Sequence, residues 1–191
     1  MGHEDMQLIQ PTVAEVSDIL AGTALLECRG YSCAAGDLIP EVVAKCAMDG
    51  HQAGHDWFWC APRLFCDTSL GLIVGSGCFK GVPVLSQVEI GYGVAEAHEG
   101  KGYASAGVAR MVEEAFAHGG INAVIAETSV NNPASQRVLE KNGFTKTGQR
   151  EDPEDGLLIQ WRRSISITPP RSGPLGASPQ TPGIFRFAPI A

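Results

Sequence analysis

Two hydrophobic rhythms alternate along this chain, and each change of rhythm marks an element. Leu8, Ile9 and Gln10 form a short strand candidate. Thr12 sits where a helix N-cap belongs, with Glu15 three residues on to complete a capping box. Val13, Val16, Ile19 and Leu20 then recur at helical spacing until Gly22. A second helix is expected within 36–49, with Pro40 near its start. Residues 57–60 and 70–79 read as strands, and Gly81-Val82-Pro83 breaks the chain before a further strand at 87–94. The clearest helix follows: Ala104, Val108, Met111, Val112, Ala115 and Phe116 make one apolar stripe, which Gly119-Gly120 ends. Residues 121–127 form a buried-type strand. Asn132 is a natural N-cap with Pro133 at the first helical position, and that helix carries Ala134, Val138 and Leu139 inward before Gly143. Residues 144–149 and 157–161 complete a hairpin around 153–156.

The bulk numbers narrow the classes. The 191 residues are 44% hydrophobic and 18% charged, an ordinary globular balance with enough chain for one full core. A net charge of −7 opposes a sequence-independent grip on DNA or RNA. No run of about 18 apolar residues exists, and the first residues are polar, so neither a membrane span nor a secretion signal is expected. The six cysteines fall at 28, 33, 46, 60, 66 and 78 with no Cys-x-x-Cys pair. Reduced thiols in a cytoplasmic protein are the reading. His51 and His55 share an i, i+4 spacing, but Gly50 and Gly54 among them oppose a helix that could present them to a metal. No metal is expected. Residues 164–191 hold six of the twelve prolines and no acidic residue, and read as a disordered tail behind a domain at 1–163.

The chemistry lies in His98-Glu99-Gly100-Lys101-Gly102-Tyr103-Ala104. The segment follows the 87–94 strand and opens a helix. Glycines let successive N–H groups converge, and the helix start adds unpaired donors and a positive dipole end, which together bind a phosphate anion. A dinucleotide loop, Gly100-x-Gly102-x-x-Ser105 with Glu127 as the ribose acid, is one reading. Against it stand the charged 95–99 spacer, Ser at the sixth position and too little chain for a doubly wound sheet.

The segment resembles motif A of the GNAT family of acyl-CoA-dependent N-acetyltransferases, read as Glu99-Gly100-Lys101-Gly102-Tyr103-Ala104. The second family signature appears in order as Asn132-Pro133-Ala134-Ser135-Gln136-Arg137-Val138-Leu139-Glu140-Lys141-Asn142-Gly143-Phe144. Val88-Glu89-Ile90-Gly91-Tyr92 and the Arg137–Lys141 run are most similar to the ribosomal-protein alanine N-acetyltransferase branch. Glu99 departs from the family's Gln or Arg, placing a negative charge beside a diphosphate that Lys101 partly offsets. The resemblance implies an α+β fold with a mixed, mostly antiparallel twisted sheet, splayed at an acetyl-CoA site and flanked by helices.

It also implies acetyl transfer from acetyl-CoA to a primary amine of a protein N-terminus or small molecule. Backbone groups of Tyr92, Gly93 and Val94 would line the pantetheine arm. The loop Gly100, Lys101, Gly102, Tyr103, Ala104 and Ser105 would hold the diphosphate, with Asn132 near the arm. Glu127 and Glu89 are the candidates for proton acceptor. Ser135 is the candidate donor to the thiolate, because Leu139 stands where many relatives have a tyrosine. A catalytically silent acyl-CoA binder is the alternative. A homodimer is compatible with the resemblance, and the acceptor is left open.

Overall fold

The computed structural model describes residues 5–25, 27–35 and 38–165. The capping box forms as its spacing requires. Thr12 Oγ1 accepts from the Glu15 N–H at 3.2 Å, and the Glu15 carboxylate accepts from the Thr12 N–H at 2.7 Å. It joins strand β1 (Met6–Ile9) to helix α1 (Val13–Leu20). A small hairpin follows, β2 (Glu27–Cys28) and β3 (Tyr31–Cys33), then helix α2 (Glu41–Gln52).

Three features here differ from the sequence reading. Residues 57–60 form a helical turn, α3 (Trp57–Cys60), because Asp56 Oδ1 caps it by accepting from the Phe58 N–H at 2.9 Å. Helix α2 runs through Gly50, where a Cβ would stand 2.8 Å from Cys60 Sγ. Glycine is thus the residue that lets α3 pack against α2. Finally, Arg63–Asp67 is a fully buried strand, β4, that no alternation announces.

Strand β5 (Leu72–Phe79) and β6 (Gln87–Val94) lead through a 3-10 turn at Glu96–His98 into helix α4 (Tyr103–His118). Strand β7 (Ala123–Ser129), helix α5 (Pro133–Lys141) and the hairpin β8 (Thr145–Asp152) with β9 (Gly156–Ser164) complete the described chain. β9 extends one residue into the expected tail, and the rest of that tail beyond Ile165 lies outside the described residues.

The sheet order is β1-β4-β5-β6-β7-β9-β8, with β3 added parallel to β5. Neighbours along that path are antiparallel except β6 and β7, so the mixed sheet and α+β class match the expectation. Alternation along β4 divides the core in two. Phe65 joins Val74, Val88, Ile90, Met111 and Trp161 on the α4 side, while Leu64 and Cys66 join Ile9, Val16, Ala44 and Ile73 beneath α1 and α2.

Arg63 is 1% exposed, and the cost of burying its charge is met on every side. It donates to Glu114 at 2.8 Å, to the Ala61 carbonyl at 2.8 Å and to the Phe58 carbonyl at 2.7 Å, with its guanidinium 4.7 Å from the Phe58 ring centroid. One side chain thereby ties α3, β4 and α4 together. Among the described residues no helix is long and apolar enough to cross a membrane.

Candidate active site

The two parallel strands part company halfway along. β6 pairs with β7 only at Gln87–Ala123, Val88–Val124 and Glu89–Ile125, whereas β5 continues to pair with β6 as far as Val94. Beyond Glu89, one edge of β6 therefore has no strand against it. Backbone N–H and C=O groups at such an edge seek a partner in extended conformation. This is the splay that the sequence resemblance implied.

A cavity of about 450 Å³ opens on the α5 side of this gap. Tyr92, Gly93 and Val94 form its β6 wall, Gly100, Gly102, Tyr103, Ala104 and Ser105 its base, and Asn132 and Ser135 its α5 wall. Gly102 is the α4 N-cap, with φ 91° and no side-chain cap. The φ is what demands glycine, since a Cβ there would meet nothing within 4 Å. The uncapped first turn of a 16-residue helix, together with the glycine loop, is an anion site made of main chain.

Most of the expected residues come together here, but not all through their side chains. Lys101 Nζ turns back to the Ala97 carbonyl at 2.8 Å, and the side chain does not line the cavity. The Tyr103 hydroxyl donates to Asp67 Oδ2 at 2.9 Å, in the core. Asn132 Oδ1 caps α5 by accepting from the Ser135 N–H at 3.0 Å. Asn142 Nδ2 donates to Ser105 Oγ at 3.2 Å, locking the end of α5 to the start of α4.

Three basic side chains the sequence reading did not assign also line the cavity: His98, Arg137 and Lys141. Their signal was the i, i+4 spacing of Arg137 and Lys141 on the outer face of α5. His98 Nδ1 is buried with no hydrogen-bond partner. A polyanionic, extended group suits this set: a strand edge for amide groups, backbone donors for a diphosphate, and Arg137 and Lys141 beside them, with Glu99 the one carboxylate in the lining. Acetyl-CoA has that chemistry.

Tyr92 spans the gap. Its hydroxyl lies 2.7 Å from Ser135 Oγ and donates to the Ser135 carbonyl at 3.1 Å. Burial pushes the phenol up, and the bond to Ser135 only partly opposes it, so the group stays protonated at neutral pH. This hydroxyl is absent from the expected set, because a strand tyrosine reads as packing.

The opposite face of β6 carries Glu89, Gly91 and Gly93 and looks into a second cleft of about 580 Å³ beneath α2. Ser76 and Cys78 of β5, with Lys80 just past its end, form one wall, and Val43 and Leu38 face them. Lys80 Nζ donates to Glu89 at 2.6 Å. Glu127 lies on the same face, two residues beyond the last β6–β7 contact. It is gripped by Arg150 through bonds of 2.7 and 2.6 Å, with Gln160 at 3.2 Å. The Arg150 bonds hold its carboxyl below the usual range against the effect of burial. Neither expected carboxylate lines either cavity directly.

Elsewhere the thiols are free, with burial raising Cys28 and Cys66 to about 11 each. Among the described residues no group of three His, Cys, Asp or Glu side chains could hold a metal ion.

Comparison with known proteins agrees with this geometry. No curated protein matches the chain. Solved structures of the same fold include the ribosomal-protein-S5-alanine acetyltransferase from Vibrio fischeri, 14% identical over 89% of this chain and 98% of that one, with a TM-score of 0.61. RimL, a ribosomal L7/L12 alpha-N-protein acetyltransferase in complex with coenzyme A, is 18% identical over 84% and 94%, TM-score 0.61. AAC(6')-Ib in complex with ribostamycin and coenzyme A is 15% identical over 84% and 93%, TM-score 0.59. At these identities the likeness is one of fold. The family model described as "Acetyltransferase (GNAT) domain" matches residues 38–145, more than half the chain. The chain therefore belongs to the GNAT acetyltransferases and is an acetyl-CoA-dependent N-acetyltransferase.

Proposed function

We propose that the domain at 1–163 transfers an acetyl group to a primary amine of a small molecule or protein N-terminus, the amine entering from the α2 side of β6. The observation that carries this is the pair of clefts meeting at Tyr92, Gly93 and Val94, the three residues that line both. A thioester reaching that point from one cleft faces an amine arriving from the other. The ribosomal-protein acetyltransferases among the structures of like fold, and the Val88–Tyr92 motif, support a place in that branch.

Acetyl-CoA supplies an activated carbonyl and a thiolate leaving group. The backbone of Gly100 to Ser105 binds the diphosphate, and the free edge of β6 orients the pantetheine arm. An alkyl ammonium with pKa about 10 must lose a proton before it attacks. Glu89 accepts that proton at the end of a chain of waters: it lies on the acceptor face, four residues back along β6 from Gly93, and its one ionic partner among the described residues is Lys80. Glu127 is the poorer base, since Arg150 holds it ionised, and its part is to fix Arg150 at the mouth of the splay. The Tyr92 hydroxyl, held beside Ser135, turns its one proton from the Ser135 carbonyl to the departing sulfur.

The test is thiol release from acetyl-CoA across a panel of peptide N-termini, polyamines, aminoglycosides and small amines. At least one acceptor should be turned over, and Gly102→Glu should abolish it by filling the diphosphate site. Acetyl-CoA binding with no turnover of any amine would show a silent binder instead.

A further inference from the structure

The acceptor cleft has a neighbour at Lys80. A cavity of about 420 Å³ with mostly apolar walls adjoins it, between α2 and the far end of β5. Val43, Cys78 and Lys80 line both spaces, so the two adjoin at those side chains. Beyond that junction Val42, Ala47 and Phe79 form the walls, with Gly50 and Cys60 packed closely together among them. Val42 is 67% exposed at the rim, an apolar side chain left to water beside an apolar space.

The strands set the scale. Ser76 lies opposite Gly93, and Cys78 opposite Gly91. At about 3.3 Å per residue, the junction begins roughly 7 Å from the Gly93 level and reaches roughly 13 Å at Lys80. A molecule with its amine at Gly93 reaches the apolar cavity with a body several carbons long.

We propose that this cavity is the apolar subsite of the acceptor, and that the substrate is a primary amine bearing an alkyl or aryl group laid along α2. The assignment rests on the acetyltransferase reading above, because that reading makes the Ser76–Lys80 cleft the acceptor's side. The selectivity is a hydrophobic one: burying each added methylene strengthens binding, and the gain is expressed in kcat/KM as long as the transition state keeps the contact.

The full-length protein is assayed for thiol release with ethylamine to hexylamine and phenethylamine, against amines of matched length ending in a hydroxyl. kcat/KM rises roughly fourfold per methylene once the chain passes the junction. The terminal hydroxyl lowers it by about tenfold. Cys46→Trp, at an exposed position on the cavity wall, flattens the chain-length slope, whereas Cys46→Ser preserves it. Calorimetric titration with acetyl-CoA reports that both variants are folded, and sedimentation reports their oligomeric state. Equal rates for apolar and hydroxylated amines overturn the subsite and leave the acetyltransferase reading intact. A slope that survives Cys46→Trp overturns it as well. A Cys46→Trp variant that instead changes oligomeric state assigns the cavity to a second copy of the chain. Acetyl-CoA binding without turnover of any amine removes the acetyltransferase reading and the subsite with it.

Discussion

The two sides of β6 are built from different materials. On the α5 side the site is main chain: a glycine loop, an uncapped helix start and an unpaired strand edge, all within residues 90–105, closed by the N-terminus of α5. On the α2 side it is side chains, brought from α2, β5 and β6 and held in place by α3, β4 and α4 at a distance. Backbone donors depend on local conformation, which a short motif can specify. Side-chain walls depend on long-range packing, which no short motif specifies. An enzyme of this plan can thus hold one cofactor and change its acceptor by repacking one half of the molecule.

The largest expected effect tests whether the acceptor half really hangs on one buried cation. Arg63→Ala leaves two carbonyls without their donor at the junction of α3, β4 and α4, empties a buried site and removes the partner of the part-exposed Glu114. It should cost about 3–5 kcal/mol in urea unfolding. A cost below 1 kcal/mol would mean that α3 and α2 are positioned by something else.

Next come two glycines in one helix with opposite reasons for being glycine. A Cβ at Gly107 would overlap the Phe65 ring, so Gly107→Ala should cost about 1–3 kcal/mol. Gly102→Ala meets open space and pays only for its positive φ, about 1 kcal/mol. Equal costs, measured by thermal unfolding of both variants, would erase the distinction between packing and conformation drawn here.

At the line where the halves meet, Tyr92→Phe removes the hydroxyl that bonds Ser135. A roughly tenfold fall in kcat with KM for acetyl-CoA nearly unchanged is expected. A matching rise in KM would make the tyrosine a mere wall.

The smallest effect is one of pH. Burial alone would raise Asp67, but bonds from Ser69, Tyr103 and Leu70 outweigh it and hold the carboxyl below its ordinary value. Its folded value being depressed, its contribution is present above about pH 3.9 and is lost as pH falls through the folded value. Asp67→Asn should therefore be about 1 kcal/mol less stable at neutral pH, and the difference should shrink under acid. A difference that does not depend on pH would show that the charge itself contributes nothing.

The same division decided what the sequence disclosed. The Thr12 capping box, the Asn132–Pro133 start of α5 and the β6 bounds were legible because each is a local pattern with one physical solution. β4 was missed because a strand buried on both faces shows no alternation, and its end charges, Arg63 and Asp67, look like solvent-facing residues until their partners arrive from α4. The 57–60 segment read as a strand from its aromatics, while the cap at Asp56 carried the true signal. The backbone part of the cofactor site was written in the motif. The direction of Lys101, the Arg150 grip on Glu127 and the Tyr92 bridge were not, since each depends on a partner fixed only by the fold.

The central claim is that main-chain groups at the start of α4 hold the diphosphate. Calorimetric titration of acetyl-CoA into the wild type, Lys101→Ala and Gly102→Glu tests it most directly. The account predicts little change for Lys101→Ala, whose amine is bound to Ala97, and a loss of about a hundredfold or more for Gly102→Glu. Wild-type affinity in a folded Gly102→Glu protein, or a collapse of binding in Lys101→Ala, would contradict it.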